Sequence, residues 1–237
     1  MDTQKLDQAY IANTYARFPV TIVKGKGSLV WDENGKEYID LATGIAVNSF
    51  GVSDPAWVRA VTEQLCTVQH ASNLYYTAPD AQLAQLLCEK TGMKKVFFSN
   101  SGAEANEACI KLARRYMRKV KQRDAYEIIT LGGCFHGRTF GALAATGRES
   151  LSDGFTPLPE GFKQVPANDL AALEAAITPA TAAVLVEVVQ GEGGIVPLPG
   201  DYLRGVEALC RKHDILFICD EVQAGLCRTG TFWAFQQ

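Results

Sequence analysis

The sequence predicts an α/β protein with a mainly parallel sheet and helices on both of its faces. Apolar runs of strand length alternate with helical patterns through most of the chain. The runs are apolar at consecutive positions, which is typical of strands buried on both faces. The chain has 237 residues, 47% of them hydrophobic and 21% charged, and is therefore long enough to bury a core of this kind.

The expected elements of this core follow one another along the chain. Strands are predicted at 95–98, 127–131, 182–187 and 215–220, and helices at 103–121, 169–177 and 201–212. Ligands of parallel α/β sheets bind at the carboxyl ends of the strands. We therefore expect the functional residues directly after the strands.

The first 52 residues have a different pattern, which predicts an N-terminal segment of short strands. Residues rich in β-formers occur at 21–23, 28–31 and 37–40. The turn signal Asp32–Gly35 predicts a hairpin before the last of them. Helices are expected next, at 55–68 and 79–91. We assign residues 1–52 to this segment and residues 53–237 to a larger domain.

Composition excludes several classes of function. The net charge is −3, which argues against an electrostatic nucleic-acid binder. No apolar run approaches the roughly 20 residues of a membrane span, and the N-terminus lacks a signal sequence, so we expect a cytoplasmic protein. The seven cysteines lack CxxC spacing, which predicts reduced, mostly buried thiols and neither disulfides nor a metal site.

The first strand end turns through Ser99–Ala103 directly into a helix. Free backbone N–H groups, the positive end of the helix dipole and the Ser101 hydroxyl meet there, which suits a phosphate. A capped helix is the alternative, with Ser101 as N-cap and Glu104 completing a capping box. The residues alone leave both interpretations open. No Walker A loop is present, because no Gly-Lys-Ser/Thr follows.

The second strand end carries a glycine-rich loop, Gly132–Thr139. Within it Phe135, His136 and Arg138 could stack on a planar ring and hold a carboxylate. A surface turn with a solvent-facing arginine is the alternative for this loop taken alone.

The last two strands end in carboxylates, Glu187 and Asp220. A carboxylate at the tip of an apolar strand is partly desolvated and needs a cationic partner. A protonated pyridine nitrogen is one such partner. An arginine such as Arg228 is the alternative.

Taken in order, these segments resemble the class III aminotransferases, pyridoxal-phosphate enzymes of fold type I. The runs that carry the resemblance are Ser-Gly-Ala-Glu-Ala-Asn-Glu from Ser101, Phe-His-Gly-Arg-Thr-Phe-Gly from Phe135 and Asp-Glu-Val-Gln from Asp220. The resemblance covers essentially the whole chain and is closest to the acetylornithine type. It implies that residues 53–237 are an incomplete cofactor-binding large domain and that the family's C-terminal small domain is absent.

The resemblance implies pyridoxal 5'-phosphate as the cofactor. The implied cofactor-binding residues are Ser101, Gly102, Ala103, Phe135, Asp220, Glu221, Val222 and Gln223. The first three would hold the phosphate, and Phe135 and Val222 would lie on opposite faces of the ring. Asp220 would pair with the pyridinium nitrogen and Gln223 with the phenolic oxygen.

The resemblance also implies the substrates. Arg138 would bind a substrate α-carboxylate, a bidentate task for which lysine is a poor substitute. Glu192 would act as a gating acid that masks a second arginine, and Glu187 would support the same pocket. The implied reaction moves the δ-amino group of N-acetylornithine to 2-oxoglutarate, a step of arginine biosynthesis, in a homodimer.

The largest departure from the family concerns a lysine. Transamination needs a lysine that forms a Schiff base with the cofactor and then moves a proton. In the family it lies a few tens of residues after the position of Asp220, but none of the 12 lysines of this chain follows Asp220. We therefore expect no catalytic residue in this chain and no activity from it alone. In addition, Cys227 stands where the family commonly has glycine.

Three alternative functions remain open. Other ω-aminotransferases, acting on ornithine, succinylornithine, succinyldiaminopimelate or 4-aminobutyrate, share nearly all these motifs. A non-catalytic truncated protein that binds a partner subunit is the second alternative. A nicotinamide-dependent dehydrogenase shares the α/β pattern, but this chain lacks its glycine-rich fingerprint and its ribose-binding acid.

Overall fold

The computed structural model describes residues 2–237. The chain divides into two compact units, one ending at Ala81 and the other beginning at Gln82. Helix α4 (Ala78–Thr91) runs across this division. The domain boundary expected after residue 52 stays a prediction.

The first unit contains a three-stranded antiparallel sheet and short helices. Its strands are β1 (Ile22–Lys26), β2 (Leu29–Asp32) and β3 (Glu37–Ile39). Its other helices are α1 (Thr3–Tyr10), α2 (Thr43–Ala46) and α3 (Pro55–Thr67). The Asp32 carboxylate accepts hydrogen bonds from the backbone N–H groups of Asn34 and Lys36, which closes the predicted hairpin turn. The predicted strands and helices of this unit are confirmed.

The second unit contains the parallel sheet and most of the helices. Its helices are α5 (Gly102–Lys119), α6 (Phe140–Thr146), α7 (Glu149–Ser152), α8 (Leu170–Ala176) and α9 (Gly200–Lys212). Its strands are β4 (Glu127–Leu131), β5 (Phe162–Val165), β6 (Thr181–Glu187), β7 (Val189–Gln190), β8 (Val196–Pro197) and β9 (Leu216–Asp220). A 3₁₀ turn follows at Ala234–Gln236.

The sheet has four parallel strands in the order β5-β4-β6-β9. All seven residues of β6 are buried, which requires cover on both faces of the sheet. Helices α5 and α6 pack against each other and against the sheet, and α8 and α9 form a second such pair. The predicted α/β class, with a mainly parallel sheet between helices, is confirmed. In the register of β6 and β9, Glu187 lies opposite Asp220.

The strands of the sheet differ from the prediction in two places. Residues 95–98 form no strand, and the Phe97 side chain is 76% exposed. No strand in residues 2–237 pairs with this segment, so its backbone has no hydrogen-bond ladder. Strand β5 was not predicted, because Lys163 and Gln164 interrupt its apolar pattern. Such polar residues suit the edge position that β5 occupies.

The prediction that most cysteines are buried is wrong. All seven are free thiols, but only Cys134 and Cys210 are buried, whereas Cys66 and Cys227 are exposed. Cys66 lies on α3, and this helix has no buried residue. Within residues 2–237 no helix is long and apolar enough to cross a membrane. The same residues contain no group of three or more His, Cys, Asp or Glu side chains that could hold a metal ion.

Candidate active site

Asp220 is the centre of a buried hydrogen-bond network at the carboxyl end of β9. Its Oδ2 accepts a hydrogen bond from Asn106 Nδ2 at 2.7 Å and lies 2.8 Å from His136 Nδ1. Its Oδ1 accepts one from the backbone N–H of Val222 at 3.0 Å. The basic partner of Asp220 in this network is therefore a histidine of the glycine-rich loop.

This pair is charged at neutral pH. Burial alone would raise the pKa of Asp220, but the hydrogen bond and the charge of His136 hold that pKa below its usual range. Burial alone would lower the pKa of His136. Its hydrogen bond to Asp220 and the nearby Cys134 side chain instead raise the pKa of His136 to about 9. The result is an imidazolium–carboxylate pair, with both side chains almost fully buried.

We expect the protein to lose stability as the pH rises from about 6.5 to about 9. Folding raises the pKa of His136 from its ordinary 6.5 to about 9. The stabilisation is therefore complete below about pH 6.5 and is lost as the pH passes the folded-state pKa. A shift of this size corresponds to about 3 kcal/mol of unfolding free energy. On the acid side, the contribution of Asp220 is lost only as the pH falls through its lowered pKa.

Urea unfolding at a series of pH values between 6 and 10 measures this loss. The variant His136→Gln should remove most of the slope, whereas His70→Gln should keep it, because His70 is exposed. A free energy of unfolding that stays constant from pH 6.5 to 9 in the unsubstituted protein would contradict the assigned charge pair.

Glu187, at the carboxyl end of β6, joins two loops. Its side chain is buried, with Oε2 accepting from the backbone N–H of Phe135 at 2.9 Å and Oε1 from that of Gly191 at 3.3 Å. Burial raises the pKa of Glu187, and these two hydrogen bonds oppose the increase. Glu187 therefore holds the loop of Phe135 beside the segment that carries Glu192.

The start of α5 has a side-chain cap and also leaves backbone N–H groups without an acceptor. Ser101 Oγ accepts a hydrogen bond from the backbone N–H of Glu104, and the Glu104 carboxylate accepts one from the backbone N–H of Asn100. Ser101 is thus confirmed as the N-cap, but the predicted capping box is wrong, because Glu104 binds the N–H of Asn100 and not that of Ser101. Between Ser101 and Glu104 lie Gly102 and Ala103, and their backbone N–H groups have no acceptor among residues 2–237. These two donors remain available to an anion at the positive end of the helix.

Val222 lies against the start of α5. A Cβ atom on Gly102 would come within 2.7 Å of Val222 Cγ1, so only glycine permits this approach. The Val222 side chain is 61% exposed, which leaves apolar surface for a ligand beside the two free N–H groups.

Three further site residues lie near the surface. The guanidinium carbon of Arg138 is 5.7 Å from the centre of the Phe135 ring, and this ring is half-buried. Gln223 Nε2 donates to Glu192 Oε1 at 3.5 Å. The Gln223 amide also occupies the space that a Cβ atom on Gly191 would need, so this glycine permits the contact.

Glu221 has partners away from these residues. Its two carboxylate oxygens accept hydrogen bonds from the backbone N–H groups of Ala234 and Phe235, both at 2.7 Å. Its implied cofactor role stays a prediction, and the contacts described here anchor the 3₁₀ turn. In the same region Cys227 has a φ of 66°, in the left-handed conformation that favours glycine. Glycine, which the family commonly has at this position, would therefore suit the backbone conformation better than Cys227 does.

Two polar residues of α5, Asn106 and Glu107, belong to the site although the sequence motifs assign no role to them. A signal for Asn106 was present, because it continues the buried helical face formed by Ile110, Ala113 and Met117. A polar residue on an apolar face requires a hydrogen-bond partner. Asn106 finds two, Asp220 Oδ2 and the backbone oxygen of His136.

The residues at this end of the sheet fit the cofactor implied by the resemblance. The free N–H groups of Gly102 and Ala103 suit a phosphate, and Phe135 offers an aromatic face. Asp220 remains an anion, and among the described residues its Oδ1 has a single hydrogen-bond donor, Val222 N. That oxygen can therefore accept a second hydrogen bond from a protonated ring nitrogen.

Comparison with known proteins agrees with this chemistry. The family profile for class III aminotransferases matches residues 10–237. Acetylornithine aminotransferase of Methanocaldococcus jannaschii is 50% identical over 231 residues, which are 98% of this chain and 58% of that enzyme. The chain thus spans somewhat over half the length of such relatives.

Solved structures show the same fold. The ornithine aminotransferase of Toxoplasma gondii ME49 superposes with a TM-score of 0.93 at 34% identity, over 98% of this chain and 56% of that one. The N-acetylornithine aminotransferase of Stenotrophomonas maltophilia K279a does so with a TM-score of 0.82 at 39% identity, over 98% and 57%. The profile match, the sequence identity and the fold lead to one conclusion: the chain belongs to the class III aminotransferases, a family of pyridoxal-phosphate-dependent transaminases.

Proposed function

We propose that this chain forms the cofactor-binding part of an acetylornithine aminotransferase, which moves the δ-amino group of N-acetylornithine to 2-oxoglutarate in arginine biosynthesis. One observation carries the proposal. The loop of Phe135 and Arg138, the start of α5 and the buried Asp220 meet at the carboxyl end of the sheet. The identity of 50% to an acetylornithine aminotransferase supports this donor.

The proposed roles at the cofactor follow from the contacts. Pyridoxal phosphate, when bound, supplies an electron sink to the reaction. Gly102 and Ala103, with the Ser101 hydroxyl, bind its phosphate through the helix start. Asp220 holds a proton on the ring nitrogen, and it can do so because His136 and Asn106 keep its carboxylate charged and oriented.

The remaining proposed roles concern the ring and the substrate. Phe135 and Val222 bind the two ring faces, and Gln223 donates a hydrogen bond to the phenolic oxygen. Arg138 binds a substrate carboxylate, and its exposure leaves the guanidinium accessible for this. Glu192 is the gating acid, and its contact with Gln223, the proposed partner of the phenolic oxygen, supports this role.

No lysine follows Asp220 in this chain, so none occupies the position that the family uses for proton transfer. We therefore expect the 237-residue chain, supplied with pyridoxal phosphate, N-acetylornithine and 2-oxoglutarate, to show no sustained formation of glutamate. Continued turnover over many equivalents would refute this expectation.

Cofactor binding tests the proposed site separately from turnover. The probe is pyridoxamine 5'-phosphate, which has no aldehyde and so does not react with surface lysines. We expect saturable one-to-one binding, followed by tryptophan fluorescence and equilibrium dialysis. Asp220→Asn should weaken it about tenfold or more, because the ring nitrogen loses an anionic partner. Asp153→Asn, at an exposed site, is the control and should bind normally. Equal affinity of the two variants would contradict the role of Asp220.

The amino donor is tested by competition. The Toxoplasma gondii structure is that of an ornithine aminotransferase, so ornithine is the main alternative donor. We expect N-acetylornithine to bind the cofactor-loaded protein more tightly than ornithine, succinylornithine or 4-aminobutyrate. A preference for ornithine would replace the proposed donor and leave the cofactor site intact.

The homodimer is also part of the proposal. Helix α3 has no buried residue, and its apolar side chains Trp57 and Leu65 are 55% and 58% exposed. Apolar surface of this kind supports an association between copies of the chain. Light scattering measures the mass in solution, and a monomer would contradict this part.

A further inference from the structure

One face of α5 holds the loop that carries Arg138. Ala103, Asn106 and Glu107 are three and four positions apart and so lie on the same side of the helix. Each of them contacts the segment from His136 to Ala142. The contacts fall on both sides of Arg138 along the chain.

Glu107 binds the residues of this loop that follow Arg138 in the chain. Its Oε1 accepts three hydrogen bonds: from Thr139 Oγ1 at 2.6 Å, from Gly141 N at 2.9 Å and from Ala142 N at 3.1 Å. Thr139, the N-cap of α6, makes no capping hydrogen bond with its own side chain. The start of α6 is therefore capped by a carboxylate from another helix. A Cβ atom on Gly141 would lie 2.5 Å from the Glu107 carboxylate, so glycine is needed for this contact.

Asn106 and Ala103 hold the side that precedes Arg138. Asn106 Nδ2 donates to the backbone oxygen of His136 at 2.8 Å. At Gly137 a Cβ atom would come within 2.7 Å of the Ala103 Cβ, so the backbone there lies directly on α5. Arg138 itself is exposed. The direction of its Cα–Cβ bond is thus determined by a backbone that is held on either side.

We propose that Glu107 is a positioning residue for Arg138 and that it sets the affinity of the site for a substrate carboxylate. This inference rests on the proposed function, in which Arg138 binds that carboxylate. Bidentate binding by an arginine needs a defined orientation of the guanidinium plane. Without Glu107 the start of α6 and Thr139 lose three hydrogen bonds, and the loop that carries Arg138 becomes free to shift.

The experiment compares four variants: Glu107→Ala, Glu107→Gln, Arg138→Ala and Glu127→Ala. The last is the matched control. The Glu127 carboxylate also accepts side-chain hydrogen bonds, from Lys163 and Thr178, but it lies at the opposite, amino end of β4. Each protein is loaded with pyridoxamine 5'-phosphate, which has no aldehyde to condense with the donor, and the dissociation constant of N-acetylornithine is measured by calorimetry. The dissociation constant of pyridoxamine 5'-phosphate and the hydrogen exchange of the Gly141 and Ala142 amides are measured in parallel.

We expect Arg138→Ala to weaken N-acetylornithine binding about 100-fold and Glu107→Ala about tenfold. Glu107→Gln keeps an acceptor oxygen and should restore most of the affinity. Glu107→Ala should also speed exchange at Gly141 and Ala142, while the dissociation constant of pyridoxamine 5'-phosphate stays within about twofold. Glu127→Ala should change none of these quantities. Glu107→Ala is replaced by a second variant if it does not fold. Thr139→Val removes one of the three hydrogen bonds and should also weaken the binding of N-acetylornithine.

Three results would overturn the inference, and each has a different meaning. If Arg138→Ala weakens N-acetylornithine binding but the Glu107 variants and Thr139→Val do not, Glu107 does not position Arg138 and the proposed function stands. If Arg138→Ala has no effect, or the unsubstituted protein does not bind N-acetylornithine, the proposed function of Arg138 fails and the inference fails with it. An equal loss in Glu107→Ala and Glu127→Ala would assign Glu107 a general role in stability only.

Discussion

Replacing Asp220 by alanine is expected to lower the free energy of unfolding by about 3–5 kcal/mol, because it leaves one member of a buried ion pair without its partner. Asn106 Nδ2, His136 Nδ1 and Val222 N all direct hydrogen bonds at this carboxylate. With the carboxylate removed, burial favours neutral His136, and its pKa should fall below the ordinary 6.5.

Urea unfolding measures the free energy, and the imidazole resonances of His136 report its pKa. Asp220→Asn should lose less stability, because its amide oxygen still accepts one of these hydrogen bonds. Asp153→Asn, at an exposed site, should stay within about 0.5 kcal/mol of the unsubstituted protein. If Asp220→Ala were as stable as Asp153→Asn, the network could not be what holds α5 and the glycine-rich loop at the end of β9.

Gly137→Ala is expected to destabilise the protein by about 3 kcal/mol and to move the glycine-rich loop away from α5. Two effects add at this position. The φ of Gly137 is 133°, a conformation that residues with a Cβ atom avoid. The added Cβ would also lie 2.7 Å from the Ala103 Cβ and 2.9 Å from the Ala142 Cβ, so the backbone has to separate.

Gly154→Ala separates these two effects. Gly154 also has a positive φ, of 76°, but a Cβ atom there would meet nothing within 4 Å. It should therefore show only the conformational penalty, about 1 kcal/mol. A loss at Gly137 no larger than that at Gly154 would show that the loop can move off α5 without cost. Thermal or urea unfolding of the two variants makes the comparison.

Most of the secondary structure could be predicted, because its signals are local. Strand β6 is apolar throughout, and α9 has regular apolar spacing, so each was expected within a residue of its observed bounds. The segment 95–98 has the same local character, yet it forms no strand. A strand needs a neighbour with which to share hydrogen bonds, and the composition of a single segment does not contain that information.

The sequence by itself determined the fold class, the family and the identity of the residues at the strand ends. Their motifs are short and continuous, so they can be recognised without knowing what lies beside them. Only the tertiary structure decided the partners. Asp220 pairs with His136 and with Asn106, a residue 114 positions earlier in the chain. Glu107 caps a helix other than its own. These contacts arise from the packing of α5 on the parallel sheet, where residues distant in sequence meet at the carboxyl ends of its strands.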